Sequence, residues 1–257
     1  MISATLRTPT NKPPVLGTFS KSIEGSVSLN FCSSGGKYCD PQCHHHPHHA
    51  NSNQRCTCYA VKNEKRFDRR QLRLKLKRHA DTDPAELVSR ALHEIKALVS
   101  KETPPPWLRI ATNGSVPSPQ DATPAFLKEL RKLFRYCRSH SIPVHFPIET
   151  AEKTGFYRAA VKGLVVVRES INDIDVFVQA RGPAACTVGN REQTRLERLE
   201  DAYQVAKLHA ATTGRQTLVC PSVAARFKKL NTSRSQPKCG RCKACSKTHM
   251  DIVYPLH

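Results

Sequence analysis

Cysteine and histidine are concentrated in residues 32–58. This stretch of 27 residues holds five cysteines (Cys32, Cys39, Cys43, Cys56, Cys58) and five histidines, placed among glycine, proline, asparagine and serine. A loop of that composition has no apolar face on which to bury thiols, whereas sulfur and imidazole are the ligands that soft metal ions prefer. The stretch therefore predicts metal binding.

The spacing in this stretch predicts which thiols bind. A four-iron cluster with one open iron needs three protein thiolates, and Cys39, Cys43 and Cys58 are our choice of ligands. A zinc site with mixed cysteine and histidine ligands fits the local spacing equally well. We interpret the run His44–His49 as an insertion without a required function.

A second set of cysteines lies near the carboxyl end, at Cys220, Cys239, Cys242 and Cys245. Four thiolates are the number that a cubane iron–sulfur cluster or a structural zinc takes, and the CxxCxxC spacing suits both. We predict shared metal ligation for this set. Cys137, on the apolar stripe of a predicted helix, and Cys186, in a predicted Gly-Pro loop, are interpreted as ordinary buried thiols.

The net charge of +20, from 41 basic and 21 acidic residues, favours a polyanionic partner. The basic residues concentrate in two stretches, 62–78 and 226–247, which could hold a nucleic-acid backbone or could be solvated faces. No apolar run suits a signal peptide or a membrane span, so we expect no membrane partner, and metal-binding thiols favour the reducing cytoplasm. The sequence does not indicate an oligomeric state.

Strand and helix patterns alternate through most of the chain. The predicted strands are 26–31, 107–112, 143–149, 164–170, 175–181 and 217–221, the last of the series. Helices are predicted to begin at Asp83-Pro84 and Thr123-Pro124 and to cover 151–161 and 191–211. Alternation of Leu72, Leu74 and Leu76 argues against a clean amphipathic helix in the second half of 61–78, whose structure we leave open.

This order predicts an α/β fold: a partial (βα) barrel or an open parallel sheet with crossover helices. We divide the chain into an extended lead-in (1–24), an α/β domain with the cysteine- and histidine-rich loop (25–221), and a basic cysteine-rich carboxyl-terminal segment (222–257). The carboxyl ends of parallel strands lie at one edge of a sheet. The loops after them, including 32–58, Asn113-Gly114, Glu149-Thr150 and Cys220, are expected to share that edge.

Four short motifs spread over the chain are Thr18-Phe19-Ser20, Cys58-Tyr59-Ala60, WLRIAT followed by Asn113-Gly114, and the ending CP...CGRCKAC...DIVYPLH. In these motifs the chain resembles the gene product 88 family of phage and mobile-element proteins, which are radical-SAM-like iron–sulfur proteins. The resemblance implies a partial barrel with a 4Fe-4S cluster near the amino end. It also implies that Asn113 and Gly114 hold the methionine part of S-adenosylmethionine, whose cleavage gives an adenosyl radical.

The leading expectation is therefore a cytoplasmic iron–sulfur protein of radical-SAM-like architecture that acts on or near nucleic acid. The alternative is a non-catalytic zinc-binding module whose basic faces bind nucleic acid.

Overall fold

The computed structural model describes residues 13–20, 23–32, 37–38, 70–111, 115–171, 173–189, 192–227 and 242–255. No helix in these ranges is both long enough and apolar enough to cross a membrane.

One sheet of eight strands organises the described residues. The strands are β1 Gly17–Ser20, β2 Ile23–Leu29, β3 Leu108–Ile110, β4 Val144–Ile148, β5 Val167–Ile171, β6 Ala184–Val188, β7 Gln216–Val219 and β8 Met250–Pro255. Their order along the sheet is β1-β2-β3-β4-β5-β6-β8-β7. Only β1 is antiparallel to its neighbour; the other pairs are parallel. The predicted α/β fold, an open parallel sheet with crossover helices, is confirmed.

The helices occupy the connections between strands. They are α1 Arg70–Ala80, α2 Pro84–Ser100, α3 Pro124–Ser139, α4 Ala151–Ala160, α5 Ile174–Val178, α6 Arg195–Thr213 and α7 Pro221–Phe227, with a 3₁₀ helix at Ala244–Ser246. The predicted starts are confirmed: Asp83 Oδ1 accepts a hydrogen bond from the Ala85 amide, and Thr123 Oγ1 accepts one from the Phe126 amide. Both residues satisfy amide groups that a helix start leaves without intrahelical partners.

Helix α1 corrects the expectation drawn from the alternating leucines. Leu76 and His79 are buried and Leu72 is half-buried, whereas Leu74 is 47% exposed. The spacing i, i+4, i+7 is that of one helix face. His79 Nδ1 lies 2.6 Å from the Asn30 carbonyl oxygen, and burial lowers the pKa of His79 to about 4.

Two further predictions were wrong in this part of the chain. Residues 175–181 were predicted as a strand, but they contain most of the short helix α5, whose start is capped by Asp173. The strand lies further on, as β6, so Cys186 is in a buried strand instead of a Gly-Pro loop. Phe177 is buried while Val176 is exposed, a pattern that one helical turn and a strand share.

The prediction that 217–221 holds the last strand was also wrong. Strand β8 follows it and lies between β6 and β7, pairing with both in parallel. Residues of the predicted carboxyl-terminal segment therefore complete the sheet, just as residues of the predicted lead-in form its edge strand β1.

The two faces of the sheet are covered differently. Leu108, Ile110, Val144 and Phe146 pack in one core with residues of α2, α3 and α4. Because side chains alternate along a strand, the residues between them point to the opposite face. We call that second face the helix-free face, because the described helices α2 to α7 pack on the first one. It carries Arg109, and residues 242–249, which include the short 3₁₀ helix, pack on it further along the sheet.

A buried carboxylate fixes β8 in the sheet. Asp251, which is fully buried, accepts hydrogen bonds from the Ala184 amide at 2.7 Å and from Arg215 Nε at 2.5 Å. Its other neighbours are Arg168 Nη1 at 3.6 Å and His209 Nε2 at 3.4 Å. The carboxylate thus joins β8 to β5, β6, α6 and the start of β7.

We expect Asp251→Asn to lower the free energy of unfolding by about 3–5 kcal/mol, because it leaves Arg168 buried without its carboxylate. Urea denaturation measures the change. Asp81→Asn, at an exposed position, is the matched control and is expected to change it by less than about 0.5 kcal/mol. Equal effects of the two substitutions would contradict the role given to Asp251.

Candidate thiolate site on the helix-free face

Three predicted ligands, Cys220, Cys242 and Cys245, pack against one small apolar cluster. Cys220 directly follows β7, whereas Cys242 and Cys245 lie just before β8. The cluster consists of buried residues of β6, β8 and the 3₁₀ helix, namely Ala185, Ala244, Met250 and Ile252. Two separate parts of the chain thus deliver thiols to the same patch of the helix-free face.

Tyr254 lies at the centre of this group. Its hydroxyl oxygen is 3.2 Å from Cys245 Sγ. Burial raises the pKa of Tyr254 well above its ordinary value, and the nearby Cys245 and Cys220 sulfurs raise it further. Cys245 Sγ thus contacts the phenol, and Cys220 packs on the same apolar cluster as Tyr254.

Arg168 holds the segment that carries Cys245. Its side chain is fully buried, and Nη1 donates to the carbonyl oxygens of Ala184 and Met250 at 2.9 and 2.7 Å. Nη2 donates to the carbonyl oxygens of Lys247 at 3.0 Å and Cys245 at 3.4 Å. One guanidinium group thus fastens the cysteine segment to the sheet.

The helix-free face is positively charged. Burial lowers the pKa of His145 well below its ordinary value, and the neighbouring charges of Arg109 and Arg168 lower it further, so this imidazole is neutral at pH 7. The charge of Arg109 also partly opposes the rise in the pKa of Tyr254. Arg109 and Arg168 therefore place positive charge on the face of the sheet that carries the cysteines.

The fourth predicted ligand, Cys239, lies outside the described residues. Among the residues that the structure does describe, no three Cys, His, Asp or Glu side chains are arranged to hold a metal ion. No disulfide joins any two of the described cysteines. The donor types and the apolar, cationic surroundings suit thiolate ligation, but Cys220, Cys242 and Cys245 do not surround one point in the described structure.

A second polar group lies at the carboxyl ends of β2, β3 and β4. Lys153 is buried, and its ammonium group donates to Glu149 Oε1 at 2.8 Å, to the Tyr38 carbonyl oxygen at 2.8 Å and to Ser115 Oγ at 3.2 Å. Ser115 Oγ also donates to Glu149, and Cys32 Sγ lies 3.8 Å from the Ser115 carbonyl oxygen. All three ammonium hydrogens thus have acceptors, so this group joins loops and has no donor left for a ligand.

The other predicted site residues lie outside the described residues. These are the ligands Cys39, Cys43 and Cys58 and the cofactor-binding pair Asn113 and Gly114. The described residues beside them, Cys32 and Tyr38 on one side and Ser115 on the other, are in contact through the Lys153 group. The two loops therefore leave the sheet at adjacent strand ends, as the sequence predicted for their edge.

Lys153, Arg168 and Tyr254 were not identified from the sequence. For Arg168 and Lys153, a feature of the sequence could have pointed to their role. Arg168 is a lone charge inside the apolar run LVVVRES, and Lys153 is four residues after Glu149, the spacing at which helical side chains meet. Tyr254 had no comparable local signal because its importance depends on the placement of β8.

The predicted basic stretches are only partly described. In the first, Lys75 is half-buried and donates to the Leu16 carbonyl oxygen, and burial lowers its pKa, so it does not belong to an outer basic face. Lys77 and Arg78 are exposed. In the second, the exposed cations in the described part are Lys243 and Lys247.

Comparisons with protein-family models, curated proteins and solved structures gave no match to this chain. Its class rests on the fold alone: an α/β protein with seven parallel strands in an open sheet.

Proposed function

We propose that the protein binds an iron–sulfur cluster through Cys220, Cys239, Cys242 and Cys245 on the helix-free face of the sheet. The observation that supports this most is the packing of Cys220, Cys242 and Cys245, from two parts of the chain, on one apolar cluster. Together with Cys239, these residues make up four cysteines, the number that a cubane cluster or a structural zinc takes.

The surroundings of these sulfurs favour a negatively charged centre. A cluster held by four thiolates carries net negative charge, and the buried Arg168 and the half-buried Arg109 supply positive charge on the same face. The Tyr254 hydroxyl adds a hydrogen bond to Cys245 Sγ, of the kind that tunes a metal centre from outside its ligands. Thiolates of this kind suit a reducing compartment, which we propose to be the cytoplasm.

We further propose that Cys39, Cys43 and Cys58 hold a second 4Fe-4S cluster and that Asn113 and Gly114 contact S-adenosylmethionine beside it. The resemblance to radical-SAM-like phage and mobile-element proteins suggests these roles. The contact of Cys32 with Ser115 supports them, because it places the starts of the two loops side by side.

The zinc alternative uses the same carboxyl-terminal thiols. It is supported by the strand β8 that completes the sheet directly after Cys242 and Cys245, since structural zinc sites contribute folding energy. In this alternative the centre is not catalytic.

Metal analysis after anaerobic purification tests the cluster. We expect a brown protein with absorbance near ~400 nm and about four irons for each occupied site. Cys220→Ala is expected to remove about four irons per chain, whereas Cys186→Ala, a buried thiol in β6, is expected to remove none. A colourless protein whose stoichiometric zinc is lost with Cys220→Ala supports the alternative. Metal content that is unchanged by Cys220→Ala would refute both.

The catalytic part has its own test. Reduced, cluster-loaded protein is expected to convert S-adenosylmethionine to 5′-deoxyadenosine, measured by chromatography. Alanine in place of Cys39, Cys43 and Cys58 is the matched control and is expected to abolish the product. If no product forms in iron-loaded protein, the radical reaction is rejected while the carboxyl-terminal cluster stands.

The charge of +20 supports nucleic acid as the partner. The protein would then act on or near a phosphodiester backbone, and the resemblance stated above suggests a phage or mobile-element protein.

A further inference from the structure

A groove of about 380 Å³ lies at the amino ends of β4 and β5. Its floor is apolar and comes from the residues that lead into the two strands, Ile142, Pro143, Val144, Leu164, Val165 and Val166. Its volume lies in the range of about 300–1,000 Å³ that small-molecule sites occupy. It lies at the opposite ends of the strands from the Lys153 group.

The rim of the groove is basic. Arg138 and Lys243 lie on it and are both exposed, and Asp and Glu are absent from its lining among the described residues. Arg138 Nη1 donates to the Gly163 carbonyl oxygen at 2.5 Å, which fixes the guanidinium beside the groove without neutralising its charge. Lys243 directly follows the ligand Cys242, so the groove borders the proposed metal site.

The basic rim continues along α3. Lys128, Arg131, Arg135 and Arg138 recur at intervals of three or four residues and therefore share one helix face. Arg131 Nε donates to the Ala160 carbonyl oxygen at 2.7 Å, which keeps this face beside the end of α4. Lys132 is paired with Glu129, whereas Arg135 is exposed and forms no ion pair with an acidic side chain of the described residues.

We propose that this surface binds single-stranded nucleic acid, with an unpaired base on the apolar floor and phosphates on Arg135, Arg138 and Lys243. The inference rests on the proposed nucleic-acid partner and names a different surface from the stretch 62–78. An apolar slot with cations at its edge suits an unstacked base, because the bases of a duplex are already covered on both sides.

Fluorescence anisotropy with a labelled single-stranded oligonucleotide tests the site. We expect the full chain to bind it more tightly than the matching duplex or inorganic polyphosphate. The triple variant Arg135→Gln, Arg138→Gln, Lys243→Asn is expected to weaken binding on the order of tenfold and to reduce the slope of log affinity against log salt by about 2. Asparagine is chosen at Lys243 because its φ is 49°.

A variant of equal charge change is the control. Lys101→Gln, Arg195→Gln and Lys207→Gln remove three exposed cations elsewhere and are expected to leave the affinity within about twofold. An equal loss of affinity in the two triple variants would overturn the proposal that the groove is the binding site. Tighter binding of the duplex or of polyphosphate than of the single strand would also overturn it. Metal content is measured in both variants. If it falls only in the first, the double variant Arg135→Gln with Arg138→Gln, which leaves the cysteine segment intact, decides, and an unchanged affinity would overturn the proposal.

The outcomes also distinguish failure of the groove proposal from failure of the proposal that nucleic acid is the partner. If only Lys77→Gln with Arg78→Gln weakens binding, nucleic acid is the partner but the site is on α1, and the inference is wrong. If the wild-type chain binds no oligonucleotide at low salt, the proposed partner itself is wrong and the groove proposal is rejected with it.

Discussion

The buried carboxylate of Asp251 is the interaction on which the arrangement of the carboxyl-terminal half depends. Moving a charge out of water costs several kcal/mol, which only close partners offset. Asp251 has three of them, a β6 amide, Arg215 before β7 and Arg168 of β5, and His209 of α6 lies beside it. All of these residues are distant from Asp251 in sequence, and only the folded sheet brings them close to it. The network therefore specifies one position for β8, between β6 and β7, and penalises any other pairing.

Arg168 extends this network to the cysteines. The same guanidinium that faces Asp251 donates to the carbonyl oxygens of Cys245 and Lys247. The 3₁₀ helix is thereby held against the helix-free face, and Cys245 meets Tyr254 of β8. Cys220 reaches the same place from β7, the other neighbour of β8. The proposed ligand set is thus a consequence of strand order, because only an inserted β8 brings the end of β7 and the segment before β8 together.

Local sequence signals predicted the parts of the fold that local interactions determine. Asp83 and Thr123 marked helix starts because capping is a contact within one turn, and the apolar stripe of α3 is buried as its spacing indicated. The alternating fold class followed in the same way. The misassigned residues 175–181 and the missed β6 show the limit: five residues of α5 and five of β6 are too few for periodicity to distinguish. Strand β8 was missed because its neighbours are set by long-range pairing.

For the site, residue type and spacing suggested Cys220, Cys242 and Cys245, whereas Arg168, Tyr254 and Lys153 became evident only from contacts across the sheet.

The central claim is that the carboxyl-terminal thiols together hold one metal centre. X-ray absorption at the metal edge tests it most directly, on the chain with Cys39, Cys43 and Cys58 replaced by alanine so that only this site remains. We predict four sulfur neighbours per metal at about 2.3 Å. A first shell dominated by nitrogen at about 2.0–2.1 Å, or metal-free protein, would contradict the claim.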